Sequence, residues 1–292
     1  MVNISLIRKN ITCDRNFKLA DSVDILMIGD SHVGLSLNPQ YIPHSDNQFQ
    51  IGEPYFYTYI RLKRFLKENP QIKYLILGFT YANLSANYDE PLFESSQKNA
   101  YFPKIFMLLN NDEIKTLHAK DLIFYRNFLG WQYGFPTKDN VPLIIKTISG
   151  NYDARIMPYR GEFFSTDHVM LDTSYYKAVK LHFDLKEYKT SSLQIEYLNK
   201  IIELSKSHDI KLILYASPLY DKYFDLIPDS YKMEYAKLQN ELMQNPDIHF
   251  VNYLQLDLPS SCFSDANHTN TLGAEIVSKK FYEMFYDTFL IK

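Results

Sequence analysis

Four short apolar runs, each shut off by a turn residue and separated by helical patterning, constrain this 292-residue chain more than any other feature. Val23-Asp24-Ile25-Leu26-Met27-Ile28 ends at Gly29, and Ile72 to Leu77 ends at Gly78. Leu212-Ile213-Leu214-Tyr215-Ala216 ends at Ser217-Pro218, and Ile248 to Val251 follows. Nearly continuous apolar runs suit strands covered on both faces, the environment of a parallel sheet. Phe49-Gln50-Ile51, ending at Gly52, reads as a further strand, second in chain order. Between these runs lie helical patterns. Pro54 opens one carrying Tyr55, Phe56, Tyr59, Ile60, Leu62, Phe65 and Leu66, stopped by Asn69-Pro70. Ser191-Ser192-Leu193-Gln194 is a capping-box pattern before Tyr197, Leu198, Ile201, Ile202 and Leu204. Another helix is read from about Ser230 to Met243, and the last begins at Thr271, with Ala274, Val277, Phe281, Met284 and Phe285 on one face. Strands alternating with helices predict right-handed βαβ units and a three-layer α/β/α sandwich around a central parallel sheet of about five strands. Ligands of such sheets sit at the carboxyl ends of the strands.

The alternation fails from residue 84 to 170, a stretch rich in aromatics, Asn and Pro. It reads as an inserted lid or subdomain within one domain spanning 1–292. Its Tyr, Phe and Leu content is too high for a free linker. The preceding strand ends at Gly78, on the same edge as Gly29 and Gly52, so the insertion is expected to cover the crevice there.

Composition excludes several classes. A net charge of -3, from 31 basic against 34 acidic residues, gives no footprint for nucleic acid. Two cysteines, Cys13 and Cys262, make neither a disulfide framework nor a zinc set. No window reaches the ~18 consecutive apolar residues of a membrane span. Met1 to Asn10 lack the apolar region and cleavage site of a secretory signal. The expected compartment is cytoplasmic by default, and extracytoplasmic where an upstream signal or anchor has been removed. Aromatics make up 15% of the chain, mostly 24 Tyr and 20 Phe, which serve either a Tyr-rich core boundary or stacking platforms for sugar rings.

Two clusters carry chemistry. Gly29-Asp30-Ser31-His32 follows the first strand directly. A helix starting there would set backbone N–H groups beside Ser31, which favours a developing oxyanion. A serine in that position also serves simply as a helix cap. Asp265-Ala266-Asn267-His268 lies in the loop before the last helix. Its spacing lets the carboxylate fix the imidazole tautomer and leave the other ring nitrogen free as a base, while an Asx turn or capping loop is the structural alternative. Both clusters belong to strand ends that a parallel sheet brings to one crevice.

On these residues the chain resembles the SGNH hydrolase superfamily, the GDSL-like esterases. Asp30-Ser31 within Gly29-Asp30-Ser31-His32 is similar to the family's nucleophile block, with His32 where Leu is commonest. Asp265-Ala266-Asn267-His268 is similar to its Asp-x-x-His block, and Thr269-Asn270-Thr271-Leu272-Gly273-Ala274 to the run into its last helix. The resemblance covers about residues 20 to 85 and 190 to 290. It implies the flavodoxin-like SGNH fold, Ser31 as nucleophile, His268 as base and Asp265 as the residue orienting it. The oxyanion hole it implies uses the Ser31 N–H, the Gly52 N–H and an Asn after the third strand. The usual Gly-x-Asn is missing there: Gly78-Phe79-Thr80 stands in its place, with Thr80 or Asn83 as substitutes. The implied activity is hydrolysis or transfer of an O-acyl group, acetyl foremost, on a small-molecule or polysaccharide ester of the carbohydrate or cell-envelope kind. It requires no cofactor and no metal. A noncatalytic carbohydrate-binding module on the same fold is the alternative.

Other residues receive structural readings. His32 either touches substrate or packs away. Asp167-His168 reads as a solvated turn, Cys262 with one His falls short of a zinc set, and Pro218 shapes a loop. Asn267-His268-Thr269 fits a glycan acceptor pattern, but a glycan there would block the base.

Overall fold

Five strands, β1 (Ile25–Ile28), β2 (Ser45–Asn47), β3 (Tyr74–Gly78), β4 (Lys211–Ala216) and β5 (Ile248–Asn252), pair in parallel in the order β2-β1-β3-β4-β5. The computed structural model describes residues 17–89, 92, 108–117, 160–169, 175–183 and 189–291. The helices are α1 (Ser31–Gly34), α2 (Tyr55–Glu68), α3 (Asn111–Thr116), α4 (Tyr175–His182), α5 (Ser192–Ser207), α6 (Asp221–Leu226), α7 (Asp229–Leu242) and α8 (Thr271–Phe285). The described residues divide into two compact units. One, of residues 20–59, 71–88 and from 161 onward, holds the whole sheet.

Period-two alternation along the strands explains the layers. Ile25, Met27, Tyr74, Ile76, Ile213, Tyr215 and Val251 form one apolar face, which packs with Val277, Phe281 and Phe285 of α8. Leu26, Ile28, Leu75, Leu77, Leu212 and Leu214 alternate with them and are equally buried. The second helical layer is built from α5, which buries Leu198, Ile201 and Ile202, and from α7, whose Tyr235 stacks on Phe79 at 4.7 Å. Phe56 joins it through an edge contact with Tyr197 at 4.8 Å. Each such side chain contributes about 1.5–3 kcal/mol by leaving water. The result is the predicted three-layer sandwich. The strand order reverses between β1 and β3, and the residue after β1 stands at that switch.

Two local readings are corrected. The second strand is Ser45–Asn47, not Phe49-Gln50-Ile51. As an edge strand pairing only with β1 it has no need of a continuous apolar run, and Ile51 is exposed. Ser191 caps α5 by accepting from the Gln194 N–H at 2.9 Å, but the Gln194 side chain does not close the box. It turns away and accepts from the Tyr55 N–H at 2.8 Å, capping α2 instead. Helices α4 and α6 were not anticipated from the sequence. Of the expected insertion at 84–170, residues 84–89, 92, 108–117 and 160–169 are described, and the rest lies outside the described residues.

The second unit comprises, in its described part, residues 17–19, 60–70, 89, 92, 108–117 and 160. Asn69 organises it. Its Nδ2 donates to the Phe17 and Phe65 carbonyls at 2.7 and 2.8 Å, and its Oδ1 accepts from the Leu19 N–H at 2.8 Å. Phe17 packs edge-on against Phe65 at 5.2 Å, and Lys63 pairs with Glu113. No helix among the described residues is long and apolar enough to cross a membrane.

Candidate active site

The turn after β1 is made by Gly29, whose φ of +127° is a conformation that side chains rarely permit. A Cβ there would also stand 3.4 Å from the Gly78 nitrogen on the neighbouring strand. The chain then enters α1, a single turn. Its cap is Asp30, not Ser31: Asp30 Oδ1 accepts from the His32 N–H at 3.0 Å. Ser31 is therefore the first residue of the turn, with its hydroxyl free of capping duty. The Asp30 carboxylate is 1% exposed, and such a group is tolerated only when donors surround it. Oδ2 accepts from Asn83 Nδ2 at 2.7 Å and from the Tyr88 hydroxyl.

The second cluster lies in the loop between β5 and α8. Phe263 and Thr269 bridge across the loop, and the Ser264 N–H donates to the His268 carbonyl at 2.9 Å. Within it, Asp265 Oδ1 accepts from the Asn267 and His268 N–H groups at 3.0 and 2.9 Å, so the Asx turn does form. The same carboxylate reaches His268 Nδ1, at 2.8 Å from Oδ2 and 3.0 Å from Oδ1. An acceptor on that side puts the proton on Nδ1 and leaves Nε2 basic. Nε2 stands 2.7 Å from Ser31 Oγ. Burial raises the Asp265 pKa, but the His268 contact and the two backbone N–H groups outweigh it and hold the carboxyl below its ordinary range. The Thr269 hydroxyl donates to the Leu35 carbonyl at 2.9 Å, fixing this loop to the end of α1.

Behind the pair sits His32. Its ring lies 5.2 Å from that of His268, tilted by 32°, and Nδ1 is 3.3 Å from Ser217 Oγ. The Asn267 backbone also hydrogen-bonds the ring. Burial lowers the His32 pKa more than the nearby Asp30 carboxylate raises it, so the imidazole is held neutral. It supports the His268 loop from below.

The oxyanion candidates are distributed as follows. Among the described residues the Ser31 and Gly52 N–H groups have no protein acceptor. The Gln50 N–H donates to the Gly29 carbonyl at 2.9 Å, which holds the Gly52 loop beside the turn that carries Ser31. Thr80 directs both its N–H and its hydroxyl to Asn83 Oδ1, at 2.8 and 3.0 Å. Asn83 in turn gives Nδ2 to Asp30. Both candidates for the third donor thus brace the carboxylate before Ser31.

Sequence reasoning did not single out Tyr88, Tyr223 or His182. Tyr223 of α6 is fully buried, and its hydroxyl lies 2.7 Å from His182 Nδ1 on α4. The His182 ring stands edge-on to His32 at 6.5 Å. A signal for it existed in the spacing of Val179, His182 and Phe183, which share one helical face. Asp167 and His168 are exposed, and no group of three or more His, Cys, Asp or Glu among the described residues is arranged to hold a metal ion. Residues 161–169 run along the carboxyl edge of the sheet. The Gly161 N–H donates to Gln48 Oε1 at 3.0 Å, and the Thr166 carbonyl accepts from the Thr271 N–H at 3.0 Å. In comparisons with known proteins, no family model matches the chain and no curated protein matches it.

Proposed function

We propose that this protein transfers acyl groups through a serine ester, in the manner of the SGNH hydrolases that its two motifs resemble. The single observation carrying this reading is the hydrogen-bonded line Ser31 Oγ, His268 Nε2, His268 Nδ1, Asp265 Oδ2, with both links under 3 Å. Ser31 Oγ attacks the ester carbonyl while His268 Nε2 takes its proton. The tetrahedral oxyanion is met by the free Ser31 and Gly52 N–H groups. On collapse the carbon–oxygen bond to the alcohol breaks, and the imidazolium returns the proton to the leaving oxygen. Asp265 stays ionised and stabilises the imidazolium. Water or another hydroxyl, deprotonated by the same imidazole, then takes the acyl group and frees Ser31. The substrate class is an O-acyl ester, acetyl foremost, of a carbohydrate or cell-envelope component.

The test is labelling by a fluorophosphonate, with the modified peptide identified by mass. Modification at Ser31 is expected in the parent and absent in Ser31→Ala. Hydrolysis of a short activated ester should fall by orders of magnitude in that variant while its circular dichroism is kept, since a triad member acts as part of a unit. A folded parent whose Ser31 resists the reagent, or a folded Ser31→Ala with full turnover, overturns the proposal. A carbohydrate-binding module would then be the reading left.

A further inference from the structure

His182 stands at the site with one ring nitrogen unused. Nδ1 faces the Tyr223 hydroxyl at 2.7 Å, and among the described residues Nε2 makes no hydrogen bond. Among the described residues the Tyr57 hydroxyl is the sole fully buried side-chain polar atom left without a partner, so Nε2 of the half-buried His182 is not wholly sealed off. The tautomer follows from Tyr223. Its hydroxyl is buried and has no other partner, so accepting from Nδ1 would leave the phenol hydrogen without an acceptor. Donation from Tyr223 to Nδ1 satisfies both groups and puts the ring proton on Nε2. The open edge of His182 is thus an N–H donor.

Its side of the site is also defined. The segment carrying Tyr223 follows β4, and the Tyr220 N–H donates to the Ala266 carbonyl at 3.1 Å, within the loop that bears His268. Gly52 follows β2, and β1 and β3 lie between β2 and β4 in the sheet. The oxyanion donors and His182 therefore approach Ser31 from opposite sides. His268 must deliver its proton to the leaving oxygen, so the alcohol part of an ester lies on the His268 side, which is the side of His182.

We propose that His182 Nε2–H is a specificity donor for a second oxygen on the alcohol part of the ester, selecting polyhydroxylated alcohols such as sugars over simple ones. The inference rests on the acyl-transfer reading above. Neutrality suits this role: burial, with His32 and His268 nearby, holds the His182 pKa down to about 3, against the pull of Asp30 and Asp265. The donor is then present throughout the working range of a histidine base.

The first experiment reads the nitrogens of full-length protein labelled with 15N-histidine. A protonated Nε2 and a bare Nδ1 are expected for His182, and a panel of methyl glycosides should shift the Nε2 resonance. Protonation at Nδ1, or no shift with any glycoside, overturns the proposal. The second compares kcat/KM for an O-acetylated methyl glycoside and for phenyl acetate, whose alcohol part has no second oxygen. His182→Ala should lose roughly fivefold to tenfold more on the glycoside, the scale of one neutral hydrogen bond. Tyr223→Phe, which unlocks the tautomer, should show the same bias, and His182→Gln, which keeps a donor, should recover part of it. Equal losses on both esters in folded variants overturn the proposal. Fluorophosphonate labelling of Ser31 in the same samples separates the two readings: labelled protein without the bias discards the role of His182 alone, whereas an unlabelled parent discards acyl transfer.

Discussion

Asn83 Nδ2 donates to Asp30 Oδ2 at 2.7 Å, joining residues 53 apart in sequence and bracing the position before Ser31 from the end of β3. Thr80 orients that amide by giving two hydrogens to its oxygen. The carboxylate is thereby fixed from both sides, by the α1 backbone on Oδ1 and by Asn83 and Tyr88 on Oδ2.

Removing the amide should be costly in two ways. Asn83→Ala leaves a buried carboxylate short of a donor, a loss of about 1–3 kcal/mol measurable by urea denaturation. Because Asp30 caps the turn that presents Ser31, kcat on a short ester should fall more than KM rises. Stability and kcat both equal to the parent's would show that the bond positions nothing.

Thr269→Val tests the fixing of the His268 loop. The hydroxyl given to the Leu35 carbonyl is replaced by a methyl of similar size, leaving that carbonyl short of one donor. About 0.5–1.5 kcal/mol of stability is expected to go. Turnover should suffer more, since a displacement of about 1 Å at a reacting group can cost 10²-fold. Loss of stability with kcat intact would reduce Thr269 to a structural contact.

What could be read from the sequence divides along a physical line. β1, β3 and β4 announce themselves because central strands covered on both faces are almost wholly apolar, β5 keeps enough of Ile248, Phe250 and Val251 to be read as well, and Gly29 marks the tight turn after β1. β2 does not, because it is an edge strand of only three residues, Ser45-Asp46-Asn47, all of them polar. The Ser31 and His268 clusters stand out because each packs several polar residues into one turn beside a strand end. His182 and Tyr223 do not, since they meet only through the packing of α4 with α6, 41 residues apart. Thr80 and Asn83 were visible as polar residues after β3, but their engagement with Asp30 depends on side-chain directions that spacing does not encode.

Acid should destabilise the fold from the ordinary histidine range downward. His182 has a folded pKa of about 3 against an ordinary 6.5, and His32 is shifted the same way by burial. Between those values the unfolded chain binds more protons than the native one, so stability drops as pH falls through this window. The limit is about 1.4 kcal/mol per pH unit for one proton. Asp265 acts with the opposite shift: its depressed pKa adds stability that is lost only as pH falls below the ordinary carboxylate range, about 4. The groups around His182 are Tyr223, His32, His268, Asp30 and Asp265. The Tm should therefore decline from pH 6.5 to 4.5, and less steeply in His182→Gln. A parent Tm that is flat over that range would mean that these rings accept protons within the fold.

Residues 161–169 offer a test of what governs access to Ser31. The Asn270 side chain donates to the His168 carbonyl at 3.3 Å, and Phe164 rests against Phe49 with ring centroids 5.4 Å apart. The segment thus lies between the loop after β2 and the start of α8, while Phe164 as a residue remains 52% exposed. A half-exposed aromatic contributes only about 1 kcal/mol by burial, so Phe164→Ala should remain folded. On the acyl-transfer proposal, an exposed ring on this edge would offer a surface to the larger part of an ester. Phe164→Ala is therefore expected to lower kcat/KM for esters with a sugar or a long acyl chain more than for phenyl acetate, changing their ranking. A uniform effect across the series would assign Phe164 to the scaffold and leave substrate choice to the crevice walls around His182.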